Sequence, residues 1–318
     1  MQIAGILKPE YFYQPQKILK RIFRFHQGKN DEFIDEILPW GMSIRVRSME
    51  EHGRIISTLG VIDLAVTETL WRLTQPGELV VDVGANIGYM SAVLAARVST
   101  VDGGSVWSFE AHPEIFAELK YNVDNWQKQF TNTQFNIENL AVSVSRGQVK
   151  LNIPESFISN RGLASVVTQD EYISENITDK SQSIAIESCC LDEIFPQENI
   201  GVLKIDVEGH ELQVLQGAVK LLKNARIRDC VFEEHLDYPT PVTNLFESLG
   251  YKVFRIKRSF QNPILLEPNS QIPRTNWQPT SFIATRNPQR LMNLFTKPGW
   301  QVLKAKRRNL LVVDNPER

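Results

Sequence analysis

"LVVDVGANIGYMSAVLAARV", Leu79–Val98, reads as a short apolar strand, a turn of small residues, and a helix. The turn carries Asp82, Gly84, Asn86 and Gly88. A dinucleotide site of this kind needs glycine at the middle position, so that backbone can approach a pyrophosphate at the helix N-terminus. Asn86 occupies that position here, and Asp82 closes the strand before it. The loop therefore predicts a nucleoside cofactor but argues against a dinucleotide.

Outward from this stretch the chain alternates strands and helices. "DLAVTETLWRLT" (Asp63–Thr74) has helical spacing, stopped by Pro76-Gly77. "SVWSFEA" (Ser105–Ala111) predicts a strand and "PEIFAELKYNVDNWQ" (Pro113–Gln127) a helix with proline in its first turn. "FNIENLAVSV" (Phe135–Val144) predicts a third strand, followed to about Phe195 by a β-rich excursion. "GVLKIDVEG" (Gly201–Gly209), "RDCVFEEH" (Arg228–His235), "YKVFRIKR" (Tyr251–Arg258) and "TSFIATRN" (Thr280–Asn287) supply the remaining strands, with "HELQVLQGAVKLLKNA" as one helix after the first of them. Such alternation implies βαβ units and a mostly parallel, doubly wound α/β sheet. The last two strands are joined by a proline-rich loop without room for a helix, which predicts that they run antiparallel. In this architecture ligands sit beyond the carboxyl ends of the strands. Asp82, Glu110, Ala141 and Asp206 should meet there.

The charge of Asp82 bears on the ligand. An anionic group about 7 Å away at an effective dielectric near 20 would be repelled by about 2 kcal/mol per charge; a cation would be attracted. S-adenosylmethionine carries a sulfonium and an ammonium, has no phosphate, and offers one carboxylate to the helix N-terminus. Glu110, about twenty residues past the loop glycines, stands where an acidic side chain accepts ribose hydroxyls. It could equally complement the helix starting at Pro113.

"KIDVEGHE" gathers Lys204, Asp206, Glu208, His210 and Glu211 at a strand-to-helix turn. Strand alternation sets Lys204 and Asp206 on one face. His210, with an ordinary pKa near neutrality, is the first candidate for a general base. Asp206 is the second, as base or as the group orienting His210. Asp206, Glu208 and His210 could hold a divalent ion, completed by Glu233, Glu234 or His235 from across the crevice, but there is no His-Glu-x-x-His spacing, and a metal is not expected.

The 318 residues are 42% hydrophobic and 23% charged, with net charge −2, so nucleic acid is not expected as a partner. Cys189, Cys190 and Cys230 make no disulfide framework, and no signal peptide or apolar run of about 18 residues precedes the domain. The default is a cytoplasmic protein. The chain is divided as a leader (1–58), a main domain (59–288) and a basic tail (289–318) containing "KAKRR" (Lys304–Arg308). Within the leader, Pro15–Gln27 sets Ile18, Leu19, Ile22, Phe23 and Phe25 against an arc of Lys17, Lys20, Arg21 and Arg24. A basic amphipathic helix can lie on an anionic membrane, here the inner face; packing of its apolar side on the same chain is the competing reading.

"VVDVGANIGYMS" (Val80–Ser91), "SFEAHPEIFAELKYNV" (Ser108–Val123), "NLAVS" (Asn139–Ser143) and "LKIDVEGHELQVLQGA" (Leu203–Ala218), with "VFEEH" (Val231–His235) more weakly, resemble the FkbM-type S-adenosylmethionine-dependent methyltransferases, mostly O-methyltransferases. The resemblance covers roughly Leu59 to Arg286. It implies a Rossmann-like class I methyltransferase fold: a seven-stranded, mostly parallel sheet with an antiparallel last strand and helices on both faces. It maps the cofactor site onto Asp82, Gly84, Asn86, Gly88 and Glu110, with Asn139 and Ala141 beside the adenine and Asp206 bordering the reaction centre. It also makes Asn160, Arg161 and Ser165 acceptor-site candidates, joined by Glu234 and His235 from the next strand. Arg161 could meet an anionic acceptor, although a plain hairpin explains that segment equally well. The expected reaction is in-line methyl transfer to a hydroxyl of a sugar, a lipid-linked glycan or a secondary metabolite. N-methylation, a nicotinamide-dependent oxidoreductase and a non-catalytic cofactor-binding module stand as alternatives.

Overall fold

A computed structural model describes residues 8–18, 32–154, 157, 161–167, 182–270 and 279–305. The hairpin β1 (Phe33–Ile37) and β2 (Ser43–Arg47) comes first, then the main sheet begins at β3 (Leu79–Val83). It continues through β4 (Ser105–Phe109), β5 (Gln134–Glu138), β10 (Ile200–Ile205), β11 (Ile227–Glu234), β12 (Lys252–Arg258), β13 (Pro263–Leu266) and β14 (Thr280–Thr285). Its spatial order is β13-β12-β14-β11-β10-β3-β4-β5. The strands from β5 to β11 are parallel, and β14 is inserted antiparallel between β11 and β12. The Rossmann-like α/β expectation holds, with one addition. The proline-rich loop contributes β13 as an eighth, edge strand antiparallel to β12, where Pro263 costs no ladder hydrogen bond.

Central strands of such a sheet are covered on both faces. Every residue of β10 is buried, and neighbouring residues face opposite cores. Val80, Val202, Val231 and Ile283 pack on one side, among residues of α3 (Leu64–Leu73), α4 (Tyr89–Val98) and α5 (Pro113–Gln127). Val81, Leu203, Phe232 and Phe282 pack on the other, among residues of α7 (Glu211–Gln216), α8 (Val219–Lys223) and α9 (Pro241–Ser248).

Two local readings change. The strand expected over Phe135–Val144 divides into β5 and the two-residue β6 (Ala141–Val142), which pairs with β9 (Gln182–Cys189) in a separate four-stranded sheet with β7 (Gly147–Ile153) and β8 (Ser165–Val167). The helix expected after His210 is broken into α7 and α8 at Gly217, where a Cβ would meet the Ser143 carbonyl oxygen at 2.0 Å.

The flanks pack on the same body. Leu38, Trp40 and Ile44 from the hairpin share a core with Leu70, Trp300 and Val302. Glu68 and Arg72 pair at 2.7 Å within α3. Glu68 accepts from the Gln301 and Val302 amides, and Arg72 donates to the Leu294, Lys297 and Gly299 carbonyls, so α10 (Pro288–Phe295) and α11 (Gln301–Lys304) are tied to α3. Lys17, expected on a solvent-facing basic arc, is instead buried, donating at 3.0 Å to both Glu36 and the Ile56 carbonyl. A buried ammonium needs such partners, and these are internal. The rest of that predicted helix, from Leu19 to Gln27, lies outside the described residues, as do Arg307 and Arg308 of the tail. No helix among the described residues is long and apolar enough to cross a membrane.

Candidate active site

The sheet reverses its winding direction between β3 and β10, and the two strand-to-helix turns that follow them meet there. Gly84 has φ +73°, and a Cβ on it would lie 1.9 Å from the Asp206 carbonyl oxygen. Only glycine lets the turns approach this closely. Asn86 also adopts a left-handed conformation (φ +51°), its Oδ1 accepting from the Ile87 amide at 2.7 Å. A cavity of about 380 Å³ opens above the turns, within the range of small-ligand sites. Gly84, Asn86, Glu110, Ala141, Asp206 and His210 all line it.

Asp82 does not. It is wholly buried beneath the cavity, accepting from the Ser91 hydroxyl at 2.6 Å and facing the Lys204 ammonium at 3.2 Å. Lys204 is its register partner across β10 and β3. The repulsion assigned to Asp82 alone is therefore cancelled by the cation beside it. Lys204 also donates to the Gly84 carbonyl at 2.8 Å and faces Asp206 at 3.5 Å. Burial alone would lower the Lys204 pKa, but Asp82 and Asp206 outweigh it and hold the ammonium above its ordinary range. The acidic character of the site comes from the cavity wall itself. Glu51, Asp63, Glu110, Asp206, Glu208 and Glu233 line it against Lys204 and Arg161.

Glu110 stands at the end of β4. Its two oxygens accept from the Asn86 and His112 amides, each at 2.8 Å. Burial pushes its pKa up, and those two N–H groups pull it back. Asn139 serves the same corner from behind, donating to the Glu110 and Ala111 carbonyls at 2.8 and 3.0 Å. It braces the corner, while Leu140, Ala141 and Val142 supply the adjacent apolar wall.

On the other side, Asp206 presents a partly exposed carboxylate. His210 is 2% exposed and shares a 3.0 Å hydrogen bond with the Ser143 hydroxyl. From the end of β11 and the residue after it the cavity receives Glu233 and His235, while Glu234 is buried elsewhere with Oε2 lacking a hydrogen-bond partner among the described residues. Glu233 thus takes the place expected for Glu234. Burial, together with Asp206, Asp63 and Glu208, pushes the Glu233 carboxyl up to about 9. His235 lies 3.5 Å from Glu208, whose hydrogen bond raises the imidazole pKa. Asp206, Glu208 and Glu234 do not assemble around a common point, and no group of three or more His, Cys, Asp or Glu among the described residues is arranged to hold a metal ion.

Arg161 lines the cavity, but its guanidinium is engaged by Glu118 and, at 3.4 Å, by Glu114 of α5. Ser165 sits in β8 opposite Asn152, away from the cavity lining, and Asn160 lies outside the described residues. Two contributors had no local signal. Asp63 caps α3 through the Ala65 and Val66 amides at 3.1 and 3.2 Å, and His52 comes from α2 (Glu51–Leu59). Both precede the first sheet strand, and only the fold brings them over it.

The sequence pattern of the Methyltransferase FkbM domain matches residues 82–253, more than half of the chain. The chain belongs to the FkbM methyltransferase family. The match begins at Asp82 and runs into β12, so it takes in both strand-to-helix turns. Among similar proteins is the hexuronic acid methyltransferase AglP of Haloferax volcanii, 26% identical over 230 residues that span 71% of this chain and 84% of AglP. A shorter stretch of 75 residues is 40% identical to the protein-L-isoaspartate O-methyltransferase of Aeropyrum pernix, covering 23% of this chain and 26% of that one. Among solved structures, a methyltransferase FkbM from Methylobacillus flagellatus KT aligns with a TM-score of 0.41 at 14% identity, over 74% of this chain and 56% of that protein.

Proposed function

We propose that this FkbM-family protein is an S-adenosylmethionine-dependent O-methyltransferase that methylates a hydroxyl of a sugar or glycan. The observation that carries the reading is the cavity wall at the strand ends, where carboxyls outnumber fixed cations. Such a field favours a ligand bearing a sulfonium and an ammonium and disfavours the paired phosphates of a dinucleotide. The residues fit the cofactor. Each Glu110 oxygen accepts one amide and keeps lone-pair capacity for a ribose hydroxyl, with Ala141 and its neighbours as the apolar surface for a base. When bound, the cofactor supplies an electrophilic methyl group. The sugar acceptor is supported by the name of AglP, a hexuronic acid methyltransferase.

An alcohol must lose its proton as it attacks, and a placed base contributes about a hundred- to ten-thousand-fold. Asp206 presents its carboxylate to the cavity and is held by Lys204, so it takes the proton in this reading. His210, nearly closed off and bonded to Ser143, serves to fix the turn. Glu233 is protonated at neutral pH and can donate a hydrogen bond to the acceptor. Asp206 and Glu233 thus divide the roles of base and donor.

The test is release of S-adenosylhomocysteine from S-adenosylmethionine with a panel of free sugars and sugar phosphates. Acceptor-dependent release that disappears when the methylated hydroxyl is replaced by hydrogen is the expected result. Release with amines alone would replace the hydroxyl reading.

A further inference from the structure

A second cavity, of about 610 Å³, adjoins the first. Glu51, His52, Ile62, Asp63, Glu233 and Pro279 line both, so the two share a wall. Their charges differ. The far part of the second cavity is lined by Lys8, Arg255, Lys257 and Arg258, with Glu10 as the one carboxylate among them; three of the four cations come from the last four residues of β12. Arg258 is steadied by the buried Glu10 at 2.8 Å. Arg255 is braced by the Ser270 carbonyl at 3.1 Å and the Thr280 hydroxyl at 3.2 Å. Lys257 is exposed, and its ammonium has no ion-pair or hydrogen-bond partner among the described residues.

We propose that the second cavity seats the methyl acceptor, and that this acceptor carries an anionic oxyacid group, carboxylate or phosphate, placed against Lys257 and Arg258. The proposal rests on reading the first cavity as the methyl-donor site. The polarity of the double cavity sets the orientation. An anion near Asp206 and Glu208 would be repelled, whereas the same anion at the β12 end meets the Lys257 ammonium, with the guanidinium of Arg258 beside it. The hydroxyl to be methylated then points back toward Asp206. Arg258 offers a guanidinium already oriented by Glu10, and Lys257 a mobile ammonium that adapts to either oxyacid.

Calorimetric titration of the full-length protein tests this, with glucuronate, glucose 1-phosphate and glucose as probes, each with and without saturating S-adenosylhomocysteine. The expected result is that at least one anionic sugar binds ten-fold or more tightly than glucose. In Lys257→Glu that preference should fall at least ten-fold, with Lys257→Gln intermediate and S-adenosylhomocysteine affinity unchanged. The glucuronate and glucose 1-phosphate arms distinguish a carboxylate from a phosphate. Equal affinity for all three sugars, no binding of any, or selectivity untouched in Lys257→Glu would each overturn the proposal. Loss of S-adenosylhomocysteine binding alone would instead count against the donor site, because the sugar preference is read without it as well.

Discussion

The two turns at the centre of the site, Gly84–Gly88 after β3 and Asp206–His210 after β10, use the same backbone device for opposite ends. Both carry left-handed residues, Gly84, Asn86 and Gly88 in one and Glu208 and Gly209 in the other. The first turn is shaped by what its residues lack. A Cβ at Gly84 would strike Asp206, and Asn86 spends its side-chain oxygen on the Ile87 amide. The second turn is defined by what its side chains carry: a carboxylate toward the cavity at Asp206, a partner for His235 at Glu208, and a buried ring at His210. Lys204 joins them, touching Asp82, Asp206 and the Gly84 carbonyl. In the proposed reaction one turn holds position and the other carries the chemistry.

That division can be broken most severely at the joint. Lys204→Met leaves Asp82 charged, wholly buried and without its cation, so denaturant titration should show a loss of about 3–5 kcal/mol. Asp206→Asn should spare folding and S-adenosylhomocysteine binding while lowering kcat by about a hundred- to ten-thousand-fold; a smaller change in kcat than in His210→Ala would transfer the base role to His210. Gly84→Ala tests the other turn, with an expected stability loss of about 1–3 kcal/mol or more and weakened cofactor binding. Its stability would be unaltered if the close approach to Asp206 were relaxed in solution.

The last effect concerns pH. The Glu233 pKa is raised on folding to about 9, above an ordinary unfolded value near 4.3. Its contribution to stability is full below the unfolded value and declines as pH rises through 9, because the folded state binds the extra proton. Glu233→Gln should therefore be more stable than the parent at pH 8, by an increment that grows from pH 5 and levels off above pH 9. Thermal melts across that range would show it. An increment independent of pH would mean that Glu233 is already ionised at neutrality.

Much of this was legible beforehand, for identifiable reasons. The helix over Pro113–Gln127 has the bounds expected from its proline and its apolar spacing, and glycines marked the first turn. What stayed hidden depends on distant pairing or on parity. That Lys204 neutralises Asp82 follows from the β10–β3 register, which no local pattern encodes. Glu233 could not be chosen over Glu234 because β11 is largely covered on both faces, so the alternation that normally sorts inward from outward residues is absent. The resemblance set Asn139 beside the adenine, but its amide NH2 donates to the Glu110 and Ala111 carbonyls.

The central claim is that the strand-end cavity receives a cationic methyl donor whose ribose is held by Glu110. Isothermal titration of the protein with S-adenosylhomocysteine and, separately, with NAD measures this most directly. The account predicts a saturable heat with S-adenosylhomocysteine, weakened about ten- to a hundred-fold in Glu110→Ala by loss of a charged hydrogen-bond acceptor, and none with NAD. Saturable binding of NAD, or affinity for S-adenosylhomocysteine that survives Glu110→Ala unchanged, would contradict it.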